Sequence, residues 1–315
     1  MATITTDHIA SVSLKDADRD PQGFAAKLGA SFEEYGFAII ADHGIPDELI
    51  HEAEAKAKQF FALPDDVKRG YAIAGGGGAR GYTPFGIETA KGATAHDLKE
   101  FWHVGRELPA GHRFRDHMGD NVWPAEVESF KATFLELFDT FDRTGLKILK
   151  AIARFLKIDE SYFIDTVRDG NSVLRLLHYP PIEGEPGSNV RAGAHEDINA
   201  ITLLLGADEA GLELLTRDGR WIPVSPKPGE LVVNIGDMLQ RLTNGLLRST
   251  THRVVNPPPE RRRRSRYSMP YFLHFRSDFL IEALAQTVPA GEAAKWPPMT
   301  ANDYLQERLR EIKLT

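Results

Sequence analysis

Residues 194–205 read Ala-His-Glu-Asp-Ile-Asn-Ala-Ile-Thr-Leu-Leu-Leu, joining a polar triplet, His195-Glu196-Asp197, to an apolar run from Ala200 to Leu205. Such a run is too short for a core helix and suits a buried strand. Val173–Tyr179, Leu212–Thr216, Trp221–Val224, Glu230–Ile235, Thr250–Val255 and Arg266–Phe275 are further short β-rich runs. Turn signals such as Asp218-Gly219 and Pro228-Gly229 separate them. Many short strands at this spacing predict a sandwich or jelly roll from about residue 171 onward.

The chain before that point is mostly helical in pattern. Asp20-Pro21 combines an N-cap with proline at the first helical position, and Phe24, Leu28 and Phe32 follow at spacing four. Residues 21–35 are therefore expected to form an amphipathic helix ended by Gly36, followed by a short buried strand, Phe37 to Ile40. Pro46 opens a second helix reaching about Phe61. Val127, Phe130, Phe134, Leu137, Phe138 and Phe141 recur at three and four, which predicts a core-backing helix over 124–156, bent or broken at Gly145. Ala301–Lys313 reads as a terminal helix. The glycines from Gly75 to Gly78 mark a flexible connection; without the lysine-Ser/Thr signature they are no phosphate loop.

Composition narrows the chemistry. The chain has no cysteine, which excludes disulfides, thiolate metal sites, iron–sulfur clusters and a cysteine nucleophile. Any metal must be held by imidazole and carboxylate. A net charge of -7 argues against nucleic acid as a partner. Met1 to Asp20 is polar, and no apolar run approaches the roughly 20 residues of a membrane span. The expectation is a cytoplasmic protein acting on a small molecule, with no membrane partner.

Residues two apart on a strand share a face. His195 and Asp197 are thus expected to open a strand with both side chains aimed at one ion and Glu196 turned away. His252 would join them from another strand, as a jelly roll allows. Two imidazoles and one carboxylate with the remaining positions open form the facial triad of non-haem iron(II) oxygenases. Among eleven histidines a His-x-Asp pair alone is weak, and the third partner and the surroundings give it weight. Arg266 and Ser268 share a face by the same rule and offer a guanidinium and a hydroxyl, a clamp for a carboxylate. Arg261 to Arg264 read as a solvated turn. Tyr179 ends a strand, either as a half-buried aromatic or as a third member of the clamp.

Taken together these segments resemble the isopenicillin N synthase-like family of 2-oxoglutarate- and iron(II)-dependent dioxygenases. The resemblance covers nearly the whole chain. It is carried by Phe32–Pro46, Phe60–Lys68, Arg80-Gly81-Tyr82 and Glu100-Phe101-Trp102, then by Leu176–Pro180, Ala194–Asp197, Asn234–Gln240, Thr243-Asn244-Gly245, Ser249–Asn256 and Arg266–Ser268. It implies an α+β chain whose β-rich core is a double-stranded β-helix, a cupin-like jelly roll, with N-terminal and flanking helices. Residues 1–120 would be the N-terminal region and 121–315 the catalytic domain, with its core at about 171–280. It also implies iron(II) on His195, Asp197 and His252, 2-oxoglutarate on Arg266 and Ser268 with Tyr179 assisting, and oxygen as the oxidant. Succinate and carbon dioxide would be released as the substrate is hydroxylated or desaturated. Leu177 departs from the pattern, since plant members often carry asparagine there. Tyr82, Phe85, Phe101, His103 and Phe272 are the expected pocket lining. A 2-oxoglutarate-independent oxidase, an ethylene-forming enzyme and a metal-binding sensor without catalysis are the competing readings.

Overall fold

The computed structural model describes residues 9–73, 78–88, 96–184, 189–205 and 211–311. It opens with β1 (Ser11–Ser13), α1 (Asp16–Arg19) and α2 (Pro21–Tyr35). Asp20 caps α2 by accepting from the Gly23 amide at 2.9 Å, and Gly36, at φ 69°, ends it. Then come β2 (Phe37–Ala41), α3 (Asp47–Phe61), α4 (Asp65–Arg69), β3 (Gly81–Thr83) and β4 (Glu100–Gly105). The long helix α5 (Phe130–Phe155) and the short α6 (Tyr162–Val167) lead into β5 (Val173–Tyr179). Next are β6 (Ala192–His195), β7 (Ile201–Leu205), β8 (Leu212–Leu215), β9 (Trp221–Pro223), β10 (Leu231–Ile235), α7 (Asp237–Leu242), β11 (His252–Val254), β12 (Arg266–Ser268) and β13 (Pro270–Leu273), then β14 (Leu280–Ile281) and β15 (Met299–Thr300), which pair with each other, and α8 (Ala301–Glu311).

The major sheet has nine strands in the order β1-β2-β10-β7-β13-β5-β4-β3, with β12 also paired to β5. The minor sheet runs β6-β11-β8-β9. Strands from the first part of the chain and from the catalytic half thus share one sheet. Alternation sorts the side chains. Ala38, Ile40, Leu174, Leu176, Leu203, Tyr271 and Leu273 face the helices and form the main core with Phe24, Phe32, Phe60, Phe134 and Phe141. Phe37, Ile39 and Val232 face inward against Leu214 and Ile222 of the minor sheet. Phe101, Leu177 and Tyr179 do the same against Ala192 and Val254. The jelly-roll core with flanking helices is therefore as expected.

Three local expectations change. The long helix starts at Phe130, and Val127 packs in the core just before it. Gly145 does not break α5: a Cβ there would lie 2.4 Å from Leu273, so the glycine lets the helix approach the sheet. The run Arg266–Phe275 divides at Met269 into β12 and β13, which pair with different stretches of β5. Residues Gly75 to Gly77 of the glycine run lie outside the described residues. Among the described residues no helix is long and apolar enough to cross a membrane.

Candidate active site

His195 closes β6 rather than opening a strand, and Asp197 lies in the turn that carries the chain to β7. Strand period therefore does not aim Asp197; the turn does. The Asp237 amide, at the first turn of α7, donates to the Asp197 carbonyl at 2.7 Å, and the Met238 amide to the Asn199 carbonyl at 3.0 Å. Gly236 makes this approach possible, since a Cβ there would stand 2.2 Å from the Asn199 carbonyl oxygen. Glu196 turns away to accept from the Thr251 hydroxyl at 2.9 Å.

His252 pairs directly with His195 across the minor sheet, and the ring centroids lie 4.4 Å apart. Asp197 Oδ1 is 3.7 Å from His195 Nε2 and 3.8 Å from His252 Nε2. One ligand atom from each of these residues lies within 4.8 Å of the others. The outer contacts orient them. Nδ1 of His195 donates to the Gly193 carbonyl at 2.8 Å, and Nδ1 of His252 to the Thr250 carbonyl at 3.0 Å. A carbonyl only accepts, so both Nε2 atoms keep their lone pairs for the cluster. Asp197 Oδ2 accepts from Thr202 Oγ1 at 2.5 Å and Asn234 Nδ2 at 2.8 Å, which leaves Oδ1 turned to the imidazoles. The cleft around the His195 ring, and then His252, lower its pKa to about 4, although 38% of the side chain still meets solvent. Burial works to raise the Asp197 pKa, but His252, His195 and the two hydrogen bonds hold it below its ordinary value. Two imidazoles and one carboxylate fit a divalent iron.

On the facing sheet, Arg266 pairs with Tyr179 and Ser268 with Leu177. Arg266 and Ser268 are buried and Tyr267 between them is not, as the alternation predicts. The Arg266 guanidinium lies 5.1 Å from the Tyr179 ring centroid. Arg191, wholly buried, stands 5.9 Å from the same ring and donates to the Arg264 carbonyl at 3.1 Å.

Residues 170–275 match the 2OG-Fe(II) oxygenase superfamily model, and residues 9–126 match the model described as non-haem dioxygenase in morphine synthesis N-terminal. A protein assigned to the 2OG-Fe(II) oxygenase family from Caulobacter crescentus superposes with TM-score 0.90 at 57% identity, covering 96% of this chain and 99% of that one. The 2-oxoglutarate-Fe(II) type oxidoreductase hxnY of Emericella nidulans is 35% identical over 88% of this chain and 81% of its own. The chain belongs to the 2-oxoglutarate- and iron(II)-dependent oxygenases. A full-length Neurospora crassa member solved with alpha-KG and thymine has TM-score 0.86 and 30% identity, with 96% of each chain covered.

The oxygenase places its expected pocket residues unevenly. Phe101 and His103 point inward from β4, their rings 4.7 Å apart, and Phe272 faces inward from β13, beside Arg175. Tyr82 does not line the cleft. It lies on the helix-facing side, 5.7 Å from Phe60, and its hydroxyl donates to Glu100. Phe85 is 42% exposed beside His96. Sequence reading missed Thr202, Asn234 and Arg191. Strand parity from Leu203 would have turned Thr202 inward, and Asn234 stood inside a quoted motif. Nothing local marked Arg191.

Proposed function

We propose that His195, Asp197 and His252 hold iron(II), and that Arg266 and Ser268, over the Tyr179 ring, take the distal carboxylate of 2-oxoglutarate. The supporting observation is the division of labour on Asp197: Oδ2 is tied to Thr202 and Asn234, and Oδ1 faces two imidazoles whose Nδ1 atoms are already committed. When bound, iron and 2-oxoglutarate supply the oxygen-activating chemistry that oxidises the substrate and releases succinate and carbon dioxide. The protein's own part is positional. The Gly193 and Thr250 carbonyls fix the imidazole tautomers, and α7 fixes the Asp197 turn. Arg266 provides a charge-assisted fork, and the buried ring beneath it excludes water. Relatives named for 2-oxoglutarate dependence, and one solved with alpha-KG, support this reading over an oxidase or a sensor. The thymine held by the Neurospora relative supports a small, polar substrate.

The test is spectroscopic. Iron(II) added under nitrogen to the protein with 2-oxoglutarate should give a weak visible charge-transfer band, and Asp197→Ala or His252→Ala should abolish both the band and succinate release. Stoichiometric iron and full turnover in either variant would refute the ligand assignment.

A further inference from the structure

The oxygenase carries a second polar cluster on the inward face of the major sheet. Its centre is Arg175, which pairs with His103 across β5 and β4. Its position follows from register. Thr202, which holds Asp197, pairs with Phe272 on β13, and Phe272 pairs with Val173 on β5, two residues before Arg175. With strands about 4.8 Å apart, Arg175 stands on the order of 10 Å from Thr202. The Phe272 side chain stands between them on the sheet, so a small ring resting on Phe272 would lie between Arg175 and the metal ligands.

The guanidinium lies 4.3 Å from the Phe101 ring centroid and 5.3 Å from that of Phe272. Its Nε donates to His103 Nε2 at 2.6 Å, and its Nη1 lies 3.3 Å from Glu88 Oε2. Nη2 makes neither of these bonds. Lys99 pairs with Glu88 at 2.7 Å and with Asp97 at 2.8 Å. Two cations therefore meet two carboxylates. His103 adds no charge: its Nε2 accepts from Arg175 while its Nδ1 donates to the Gly78 carbonyl. Burial, and then Arg175, hold its pKa well below the usual imidazole value. Arg80, the next cation, is turned to the Gly119 and Ala79 carbonyls and to Asn171.

We infer that this cluster is the substrate-recognition site, and that it takes a small, planar, electrically neutral lactam or imide. Arg175 Nη2 donates to the substrate's carbonyl, Glu88 accepts from the adjacent N–H, and Phe101 and Phe272 flank the ring. A carboxylate substrate is disfavoured because the local charge is already balanced, so it would have to displace Glu88 from Arg175 or bring an uncompensated charge. This inference rests on the proposed metal and 2-oxoglutarate site, which points the oxidant at the same cleft.

The experiment is anaerobic calorimetry on the protein loaded with iron(II) and 2-oxoglutarate. The probes are 2-pyridone, a neutral planar lactam, and benzoate, a planar carboxylate of similar size. 2-Pyridone should bind at least about tenfold more tightly than benzoate, and Arg175→Met should remove about that much of its affinity. The charge-transfer band of the loaded protein should persist in Arg175→Met, and its loss only there would mean that Arg175 serves the metal site, against the inference. Glu88→Gln should shift preference toward benzoate, since one balancing anion is gone. Tighter benzoate binding in the wild type, no binding of either probe, or a lactam affinity unmoved by both substitutions would each overturn the inference. Absence of the band in the wild type would instead count against the metal and 2-oxoglutarate reading.

Discussion

At the scale of single residues, the arginine-rich stretch before β12 gives the sharpest discrimination. Arg266 is 4% exposed and faces the cleft, whereas Arg261, Arg263 and Arg264 are exposed in the turn that precedes the strand. Arg266→Ala should raise the 2-oxoglutarate dissociation constant about 10- to 150-fold, the equivalent of roughly 1.5–3 kcal/mol from a charge-assisted contact. Arg263→Ala and Arg264→Ala should change it little, because exposed charges act only through a screened field. Anaerobic titration of the three variants checks this, and a large loss confined to Arg264→Ala would move the assigned register. The alternation that singled out Arg266 was legible in the sequence because β12 is a true strand. The same rule misled at Asp197, where the chain had already left β6. A period of two cannot report where a strand ends, and the contacts that aim Asp197 come from residues as distant as Asn234 and Asp237.

At the scale of elements, α5 and the back face of β4 and β5 show how packing overrides local signals. Glycine in mid-helix costs about 1 kcal/mol relative to alanine, which is why the sequence suggested a break at Gly145. The close approach of Leu273 explains its use. Gly145→Ala should therefore destabilise despite its better helix propensity, by about 1–3 kcal/mol of overpacking. Urea unfolding measures the sign, and a stabilised variant would mean that Leu273 moves aside easily. Behind the clamp strand, Glu100 gathers Lys68 at 3.0 Å, His178 at 2.7 Å and the Tyr82 hydroxyl, and His178 reaches Ser265 at 3.0 Å. This network ties α4, β3, β4 and β5 to the residue just before Arg266, and it gathers residues from three of the quoted N-terminal motifs. Lys68 and Glu100 are both nearly buried, and the lysine's other carboxylate partner, Asp65 at 3.1 Å, is largely exposed, so Glu100→Gln should cost up to about 3–5 kcal/mol by leaving the lysine charge poorly compensated. The double variant Lys68→Met/Glu100→Gln should recover part of that loss. Strictly additive losses in the same unfolding assay would show that the pair does not act as a unit.

At the scale of the whole molecule, the strand runs of the catalytic half were legible because short apolar segments between turns leave few alternatives. The joint sheet was not, because pairing of β2 with β10 and of β4 with β5 joins residues far apart in the chain. One global consequence of that assembly is pH sensitivity, since the sheet encloses histidines that fold in the neutral state. His274 is the clearest. It is 7% exposed, and burial lowers its pKa to about 4, against the opposing influence of the Phe272 carbonyl that its Nδ1 contacts at 3.1 Å and of Asp197, while Arg80 lowers it further. An unfolded histidine takes its proton near pH 6.5. The unfolded chain therefore binds more protons than the folded one between about pH 6.5 and 4, and stability falls as pH falls through that window. From His274 alone the loss is roughly 3 kcal/mol at about pH 4 relative to about pH 8, with His103 and His195 acting in the same direction. Urea unfolding of the metal-free protein across this range should show the slope, and His274→Asn should flatten it by about that amount. Parallel pH profiles for wild type and variant would mean that the His274 ring is protonated in the folded protein or sheltered equally in the unfolded one.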